Sequence, residues 1–493
     1  MFPLAELDKK HVWHPFTQMQ DWLGNEPIVI TSGEGSILEA ADGRTYLDAN
    51  SSIWTNLHGH RNPTLDKALR KQLGKVAHTS FLGLANEPAS ILAGELVRLA
   101  NPVGLSEGLG SEATLSKVFF SDDGSTAMEV ALKQAYEFAR RSGLSESPRF
   151  LSLDGAYHGD TLGAVSLGHI DLFHKSYANL LFPTDKVMSP YCYRCPFNRA
   201  KPERADARTY RVCGWECVSK VEEACATKHS QGEPYAAMVV EPGLQGAAGM
   251  LAQPEGWLGR VSQILRQHGT QLIADEVMTG FGRATVAKDI LGKPVWFASH
   301  AENVQPDYLV LAKGLTGGYL PMAATLTRQE VFDVFLGQYE EFKTFFHGHS
   351  YTGNALGSAV AIANVTLLEK KKTLRQREEL AEALRKESTA LWDLPQVGDI
   401  RQSGLVLAIE LVEDWKTRKP FSLKDRVGFR VCEALARRGV LTRPIGNVIV
   451  VMPPYCTTPS QVHQILTSLH DSILEVFPPH QVTEDNLRNI ETF

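Results

Sequence analysis

The sequence predicts an α/β protein: a large unit built on a mostly parallel sheet flanked by helices, followed by a smaller α+β unit. Three observations lead there. Short apolar runs recur through the middle of the chain, separated by longer helical patterns. Strands that are apolar on both faces and spaced by helices belong to parallel sheets covered on each side. Past about residue 370 the texture changes to a charged helical stretch and shorter alternating segments. Finally, 493 residues, at roughly 150 per domain, suit two large units or about three domains.

The N-terminal segment, 1–61, carries hairpin-like punctuation at Ser32-Gly-Glu-Gly35 and Asp42-Gly43. In the large unit, 62–370, strands are expected at Lys117–Phe120, Phe150–Leu153, Ala236–Val240, Gln271–Ala274 and Tyr308–Ala312, with a helix over Thr126–Arg141. In the smaller unit, 371–493, Leu368 to Trp392 reads as a charged helix that opens it. Leu405–Glu410 and Val448–Met452 read as alternating strand segments.

Composition removes several function classes. Lys and Arg number 50 and Asp and Glu 56, a net charge of -6, so no basic excess points to nucleic acid or an anionic membrane. No apolar stretch approaches the ~20 residues of a membrane span. The opening MFPLAELDKK lacks the apolar region of a signal peptide, and a cytoplasmic protein is expected. Seven cysteines, an odd number in a long chain, do not suggest a disulfide scaffold.

The chemistry is expected where the strands end, because open parallel sheets bind ligands outside their carboxyl ends. Three apolar runs end in polar residues: Glu241-Pro242, Asp275-Glu276 and Lys313-Gly314. One carboxylate at a strand end is unremarkable, but an acid and a lysine delivered to the same rim suggest a shared site. In a partly desolvated pocket Lys313 is an amine nucleophile or Schiff-base former; alone, a strand-end lysine is more often simply solvated. Asp275 can hold a pyridinium nitrogen protonated, with Val277 two residues on to press on the ring. The Gly-rich turn after it, Thr279-Gly-Phe-Gly-Arg283, suggests close approach to a ligand. Gly124 and Ser125, between a strand and a helix, offer a phosphate site at a helix N-terminus, or only a plain cap. Tyr157 in Asp154-Gly-Ala-Tyr-His-Gly-Asp160 can stack on a flat ring, or only pack.

The combination resembles the class III, fold-type I pyridoxal-phosphate aminotransferases. Asp275-Glu-Val-Met-Thr-Gly-Phe-Gly-Arg283, with Lys313 38 residues after its Asp, is specific for them. The resemblance covers nearly the whole chain. Within the class it runs closest to the branch that aminates 8-amino-7-oxononanoate in biotin synthesis. That likeness is carried by His11-Val-Trp-His-Pro-Phe-Thr-Gln-Met19, Ser51-Ser-Ile-Trp-Thr-Asn-Leu-His-Gly-His60, Phe346-His-Gly-His-Ser-Tyr-Thr-Gly-Asn354 and Thr442-Arg-Pro-Ile-Gly-Asn447.

The resemblance implies roles residue by residue. Lys313 would carry pyridoxal 5'-phosphate and shuttle the substrate proton. Asp275 would pair with the pyridine nitrogen, Gly124 and Ser125 would hold the phosphate, and Tyr157 would stack over the ring. His349 and Ser350, preceded by Gly348, would reach the phosphate of a second subunit in an obligate homodimer. Trp54 and Phe16 would wall the substrate pocket, and Arg443 would bind the substrate carboxylate, which its planar fork suits. Some members have Tyr at the position of Phe16. The run His347-Gly-His-Ser350 is similar to a branch some of whose members use lysine rather than S-adenosylmethionine as amino donor, so both donors stay open. No metal is implied at this site. An aminomutase or decarboxylase on the same fold, or a non-enzymatic binding protein, are the competing classes; Lys313 together with Asp275 weighs against the last.

An insert at about 190–220 holds Cys192-x-x-Cys195 and Cys213-x-x-x-Cys217. Its spacing resembles a four-thiolate zinc site, against the alternative of reduced cysteines in a surface excursion. The two His-Gly-His triplets, at 58–60 and 347–349, are read as tight cofactor loops. Asn50-Ser-Ser52 and Asn364-Val-Thr366 match the glycosylation pattern by chance.

Overall fold

The protein was analysed as a computed structural model, which describes residues 4–102, 105, 114–289 and 292–478. A seven-stranded sheet lies at its centre. In chain order its strands are β1 (Leu115–Ser121), β2 (Phe150–Leu153), β3 (Asp185–Val187), β4 (Ala237–Val240), β5 (Gln271–Asp275), β6 (Tyr308–Leu311) and β7 (Ala323–Arg328). Across the sheet they run β1-β7-β6-β5-β4-β2-β3. Neighbours pair parallel except around β7, which is antiparallel to both β6 and β1.

The sheet is covered on both faces, which explains strands that are apolar throughout. Helix α1 (Gly124–Arg141) packs Ala127, Met128 and Ala131 against Val239, Ile273 and Val310. Helices α2 (Glu216–Ser230) and α3 (Trp257–Gln267) pack Val221, Trp257 and Val261 against Leu151, Met238 and Leu272. Alternate residues of β4 thus face opposite layers, as the period of two requires.

Two smaller sheets sit apart. The strands Ile30–Glu34, Ile37–Ala40 and Thr45–Asp48 join Val440–Leu441, so the N-terminal hairpin pairs with a C-terminal strand. An antiparallel sheet is built on Val397–Ser403, Val406–Asp414, Pro444–Ile445 and Val448–Val451. No helix among the described residues is long and apolar enough to cross a membrane.

The structure departs from the sequence reading at four places. The expected helix over 368–392 is two elements: α4 (Ala355–Leu368) ends where it was thought to begin, and α5 (Lys371–Glu387) gives way to a 3-10 turn at Ser388–Asp393. Helix α4 is apolar nearly all round, because it is buried between neighbours, so it shows no amphipathic period. Strand β3 was missed, and so was strand β7. The latter returns directly from β6 without a crossover helix, which is why it runs antiparallel. The Gly-rich turn after Asp275 admits protein rather than ligand: a Cβ on Gly282 (φ +88) would lie 2.3 Å from the Arg377 guanidinium carbon, and one on Gly280 2.7 Å from the Glu276 carbonyl.

The cysteine insert is tied to the C-terminal sheet by a buried charge cluster. Arg401 donates to Asp399 (3.0 Å) and Glu410 (2.8 Å). Arg194 and the Tyr191 hydroxyl, from the insert, donate to the same Glu410. Burial pushes Asp399 up to about 6 against the pull of Arg401. Removing the central cation leaves buried Asp399 without its counter-charge, while Glu410 keeps only Arg194. Arg401→Met is therefore expected to cost about 3–5 kcal/mol, read as a lower urea midpoint.

Candidate active site

The carboxyl ends of β4, β5 and β6 open into one cavity of about 450 Å³. Glu241, Asp275 and Lys313, at the ends of these three adjacent strands, all line it. Adjacent parallel strands lie about 4.8 Å apart, so residues at their ends are forced into company.

Lys313 has φ +43, a left-handed conformation rare for a side-chain-bearing residue. It begins a 3-10 turn over Lys313–Thr316. From α4, Asn364 donates to the carbonyls of Gly314 (2.8 Å) and Leu315 (2.9 Å) and is paired in turn with His58 Nε2 (2.8 Å). The first His-Gly-His triplet thus holds the lysine loop from behind. Burial keeps His58 neutral, at about 4. Burial also lowers the Lys313 amine from its ordinary value, opposed by the carboxylates of Asp275 and Glu241. The amine lies 5.1 Å from the centre of the Trp54 ring.

Asp275 is buried. Its Oδ2 is paired with His158 Nδ1 at 2.7 Å, and its Oδ1 accepts from the Val277 N–H at 3.1 Å. Nε2 of His158 is buried without a partner among the described residues. Glu241 accepts from the Gly246 N–H (2.7 Å) and the Tyr157 N–H (3.4 Å). Burial, with Asp275 adding to it, pushes Glu241 up to about 7 against the opposing pull of His158.

At the other end of the cavity, Asp123 caps α1 and Gly124 and Ser125 form its first turn. Both line the cavity. N–H groups in a first helical turn have no intrahelical acceptor. The cap does not use up the helix start: Asp123 takes the Thr126 N–H (2.9 Å), and Gly124 and Ser125 line the cavity. A Cβ on Gly124 would meet Val277 at 2.8 Å, so glycine is needed for the turn to seat on that side chain. Tyr157 lines the cavity, and its hydroxyl donates to Asp160 at 2.7 Å.

The donor set fits pyridoxal phosphate. A helix start suits its phosphate, the buried Asp275 suits a protonated ring nitrogen, Tyr157 and Val277 suit its faces, and Lys313 suits its aldehyde.

The structure thus brings together Trp54, Gly124, Ser125, Tyr157, Asp275 and Lys313. Phe16 and Arg443 lie at the edge. Phe16 contacts the Tyr157 ring edge-on at 6.5 Å, and exposed Arg443 donates to the Phe16 carbonyl at 2.8 Å. Gly348, His349 and Ser350 lie outside the cavity of their own chain. His78 Nε2 is paired with the Ser350 carbonyl, and the His349 ring packs on that of His347, which meets Lys133 of α1. Sequence reasoning named Glu241 as a strand end but gave it no role, and gave none to His158. The only signal for His158 was its place beside Tyr157 in a post-strand loop.

The insert cysteines, Cys192, Cys195, Cys213 and Cys217, are free and line a small cavity with Arg211. Burial pushes Cys192 up to about 12 and Cys217 to about 11. Arg211 donates to Cys213 Sγ at 3.1 Å. Among the described residues no group of three or more His, Cys, Asp or Glu is arranged to hold a metal.

Comparison with known proteins places these features in a family. The model of the class-III aminotransferases matches residues 19–473. The adenosylmethionine-8-amino-7-oxononanoate aminotransferase of Geobacter sulfurreducens is 44% identical over 470 residues, 95% of this chain and 97% of that protein. The crystal structure of the enzyme of that name from Methanocaldococcus jannaschii superposes with a TM-score of 0.84 at 35% identity, over 96% of this chain and 98% of that one. An amine transaminase from an uncultivated Pseudomonas species, solved in its pyridoxal-phosphate-bound form, gives 0.82 at 30% identity, over 94% and 98%.

Glu241 gives a stability signature. Its folded value of about 7 lies above the ordinary 4.5, so the folded protein holds an extra proton between those values. Stability is full below about 4.5 and falls as pH rises toward 7, by on the order of 3 kcal/mol. In cofactor-free protein, Glu241→Gln should flatten the decline in urea midpoint between pH 5 and 7.

Proposed function

The chain belongs to the class-III aminotransferases, and from that membership we propose that it transfers an amino group from S-adenosylmethionine to the ketone of 8-amino-7-oxononanoate. The product is 7,8-diaminononanoate, an intermediate of biotin synthesis. The observation that carries the reading is the convergence of Lys313, Asp275 and the α1 N-terminus on one cavity, in a chain nearly coextensive with relatives bearing that name.

Pyridoxal phosphate, when bound, supplies the electron sink that lets a carbon–hydrogen bond beside an amine ionise. The chain's own residues do the rest. Lys313 would hold the cofactor through its amine, and that amine would take the proton from the donor carbon and return one to the acceptor carbon. Its lowered proton affinity keeps more of the amine free to do so. Asp275, kept in place by His158, would hold the proton on the ring nitrogen. Gly124 and Ser125 would anchor the phosphate through the helix start. Tyr157 would pack on the ring and Trp54 would wall the substrate slot. Phe16 and Arg443, joined at the cavity mouth, receive the far end of the acceptor, with Arg443 pairing its carboxylate.

Gly348, His349 and Ser350 of each protomer complete the phosphate site of its partner in a homodimer. Their position outside their own chain's cavity supports this. The cytoplasm is the expected compartment.

A half-reaction tests the assignment. Loaded protein is mixed separately with S-adenosylmethionine and L-lysine, and the pyridoxal absorbance is followed. Decay with S-adenosylmethionine alone, and return on adding 8-amino-7-oxononanoate, is expected. Decay with lysine alone would change the donor, and no decay with either would refute the assignment. Lys313→Ala should lower turnover by at least about 10³-fold, since nucleophile and proton carrier are lost together.

A further inference from the structure

Ser51, Ser52, Ile53 and Trp54 have φ of +47, +48, +63 and +72. Together they form a turn of left-handed helix containing no glycine. Such a turn crowds each Cβ against the following carbonyl and does not persist on backbone preference. Something around it must hold it.

The holding groups are two residues just upstream. Asp48 is buried and reaches forward into the turn. Its Oδ1 accepts from the Ser52 N–H (3.0 Å), and its Oδ2 from the Ser52 hydroxyl (2.9 Å), with His60 Nε2 beside it (3.1 Å). Ser51 ties the turn to the C-terminal part through its hydroxyl and the Met452 carbonyl (2.7 Å). The turn exposes Ser52 and Ile53 and delivers Trp54 inward, against Met278 and its apolar neighbours and 5.1 Å from the Lys313 amine. The free end of the indole is pinned as well: its Nε1–H donates to Oδ1 of buried Asn50 at 2.8 Å.

We propose that Asn50 and Asp48 are positioning residues for the acceptor substrate. Asp48 fixes the left-handed turn and Asn50 fixes the rotation of the Trp54 ring. Between them they set the width of the slot between that ring and Lys313, so that it admits a slender carbon chain with its ketone at the amine. The inference rests on the reading of this cavity as the acceptor site.

The test uses the loaded full-length enzyme labelled with 5-fluorotryptophan, the Trp54 resonance being assigned by its loss in Trp54→Phe. Asn50→Ala is expected to shift or broaden that resonance, and Asn50→Asp, which keeps an acceptor oxygen, to leave it in place. Kinetically, Asn50→Ala should raise KM for 8-amino-7-oxononanoate about three- to tenfold, the range for one lost neutral hydrogen bond, with kcat within about twofold. Adding Asn50→Ala to Trp54→Phe should raise KM no further, because the donor is already gone. If Asn50→Ala does not fold, Asn50→Ser, too short to reach the indole, replaces it. An unmoved Trp54 resonance, or a KM increase that persists in the Trp54→Phe background, overturns the proposal. If wild type does not turn over the acceptor at all, the substrate assignment fails, and the fluorine spectrum still decides whether Asn50 pins the ring.

Discussion

A single amine held between two buried carboxylates sets the terms for this molecule. Lys313 is half-buried, and burial favours its neutral form, while Asp275 and Glu241 on the neighbouring strands favour the charged form. The three groups meet because β4, β5 and β6 are adjacent and parallel. Shifting any one strand by a residue would turn its terminal side chain to the other face. The covering helices α1, α2 and α3 fix that register through the apolar faces they bury.

The site keeps unfavourable backbone in two places, at Lys313 and at Ser51–Trp54. Each is held by side chains from distant parts of the sequence. Asn364 and His58 clamp the lysine loop, and Asp48, His60 and the Met452 carbonyl clamp the tryptophan turn. Arg283 joins these regions. It is fully buried and donates to the carbonyls of Asn56 (2.5 Å) and Pro453 (2.9 Å), which ties the segment after Trp54 to the C-terminal part. Strain of this kind, imposed by surroundings that over-determine it, is characteristic of sites that must be preorganised.

The sequence carried five strands of the central sheet and the polar residues that end three of them, because a doubly covered strand leaves an uninterrupted apolar run and a polar stop. It did not carry β3, a three-residue edge strand of which only Val187 is buried, or β7, whose Ala and Thr residues lack that signature, or the start of α4, whose burial on all sides erases helical periodicity. The glycines of 279–283 pointed to close approach, correctly, but the partner is the Arg377 side chain. His158 was invisible as a site residue, since its pairing with Asp275 spans 117 positions. The left-handed turn was equally hidden: Ser-Ser-Ile-Trp gives no local hint of positive φ, and the groups that clamp it include Asp48 and the distant Met452 carbonyl. Both sequons, at Asn50 and Asn364, prove to be buried hydrogen-bonding residues.

The most direct test of this picture is the proton affinity of Lys313 itself. In cofactor-free protein, the pH dependence of its acetylation, followed by mass spectrometry of the Lys313 peptide, gives the midpoint at which the amine becomes free. A midpoint below the ordinary 10.5 is expected, moving lower still in Asp275→Asn as one opposing carboxylate is removed. A midpoint at or above 10.5, or one that Asp275→Asn raises, would contradict the balance between burial and the two carboxylates on which the site is built.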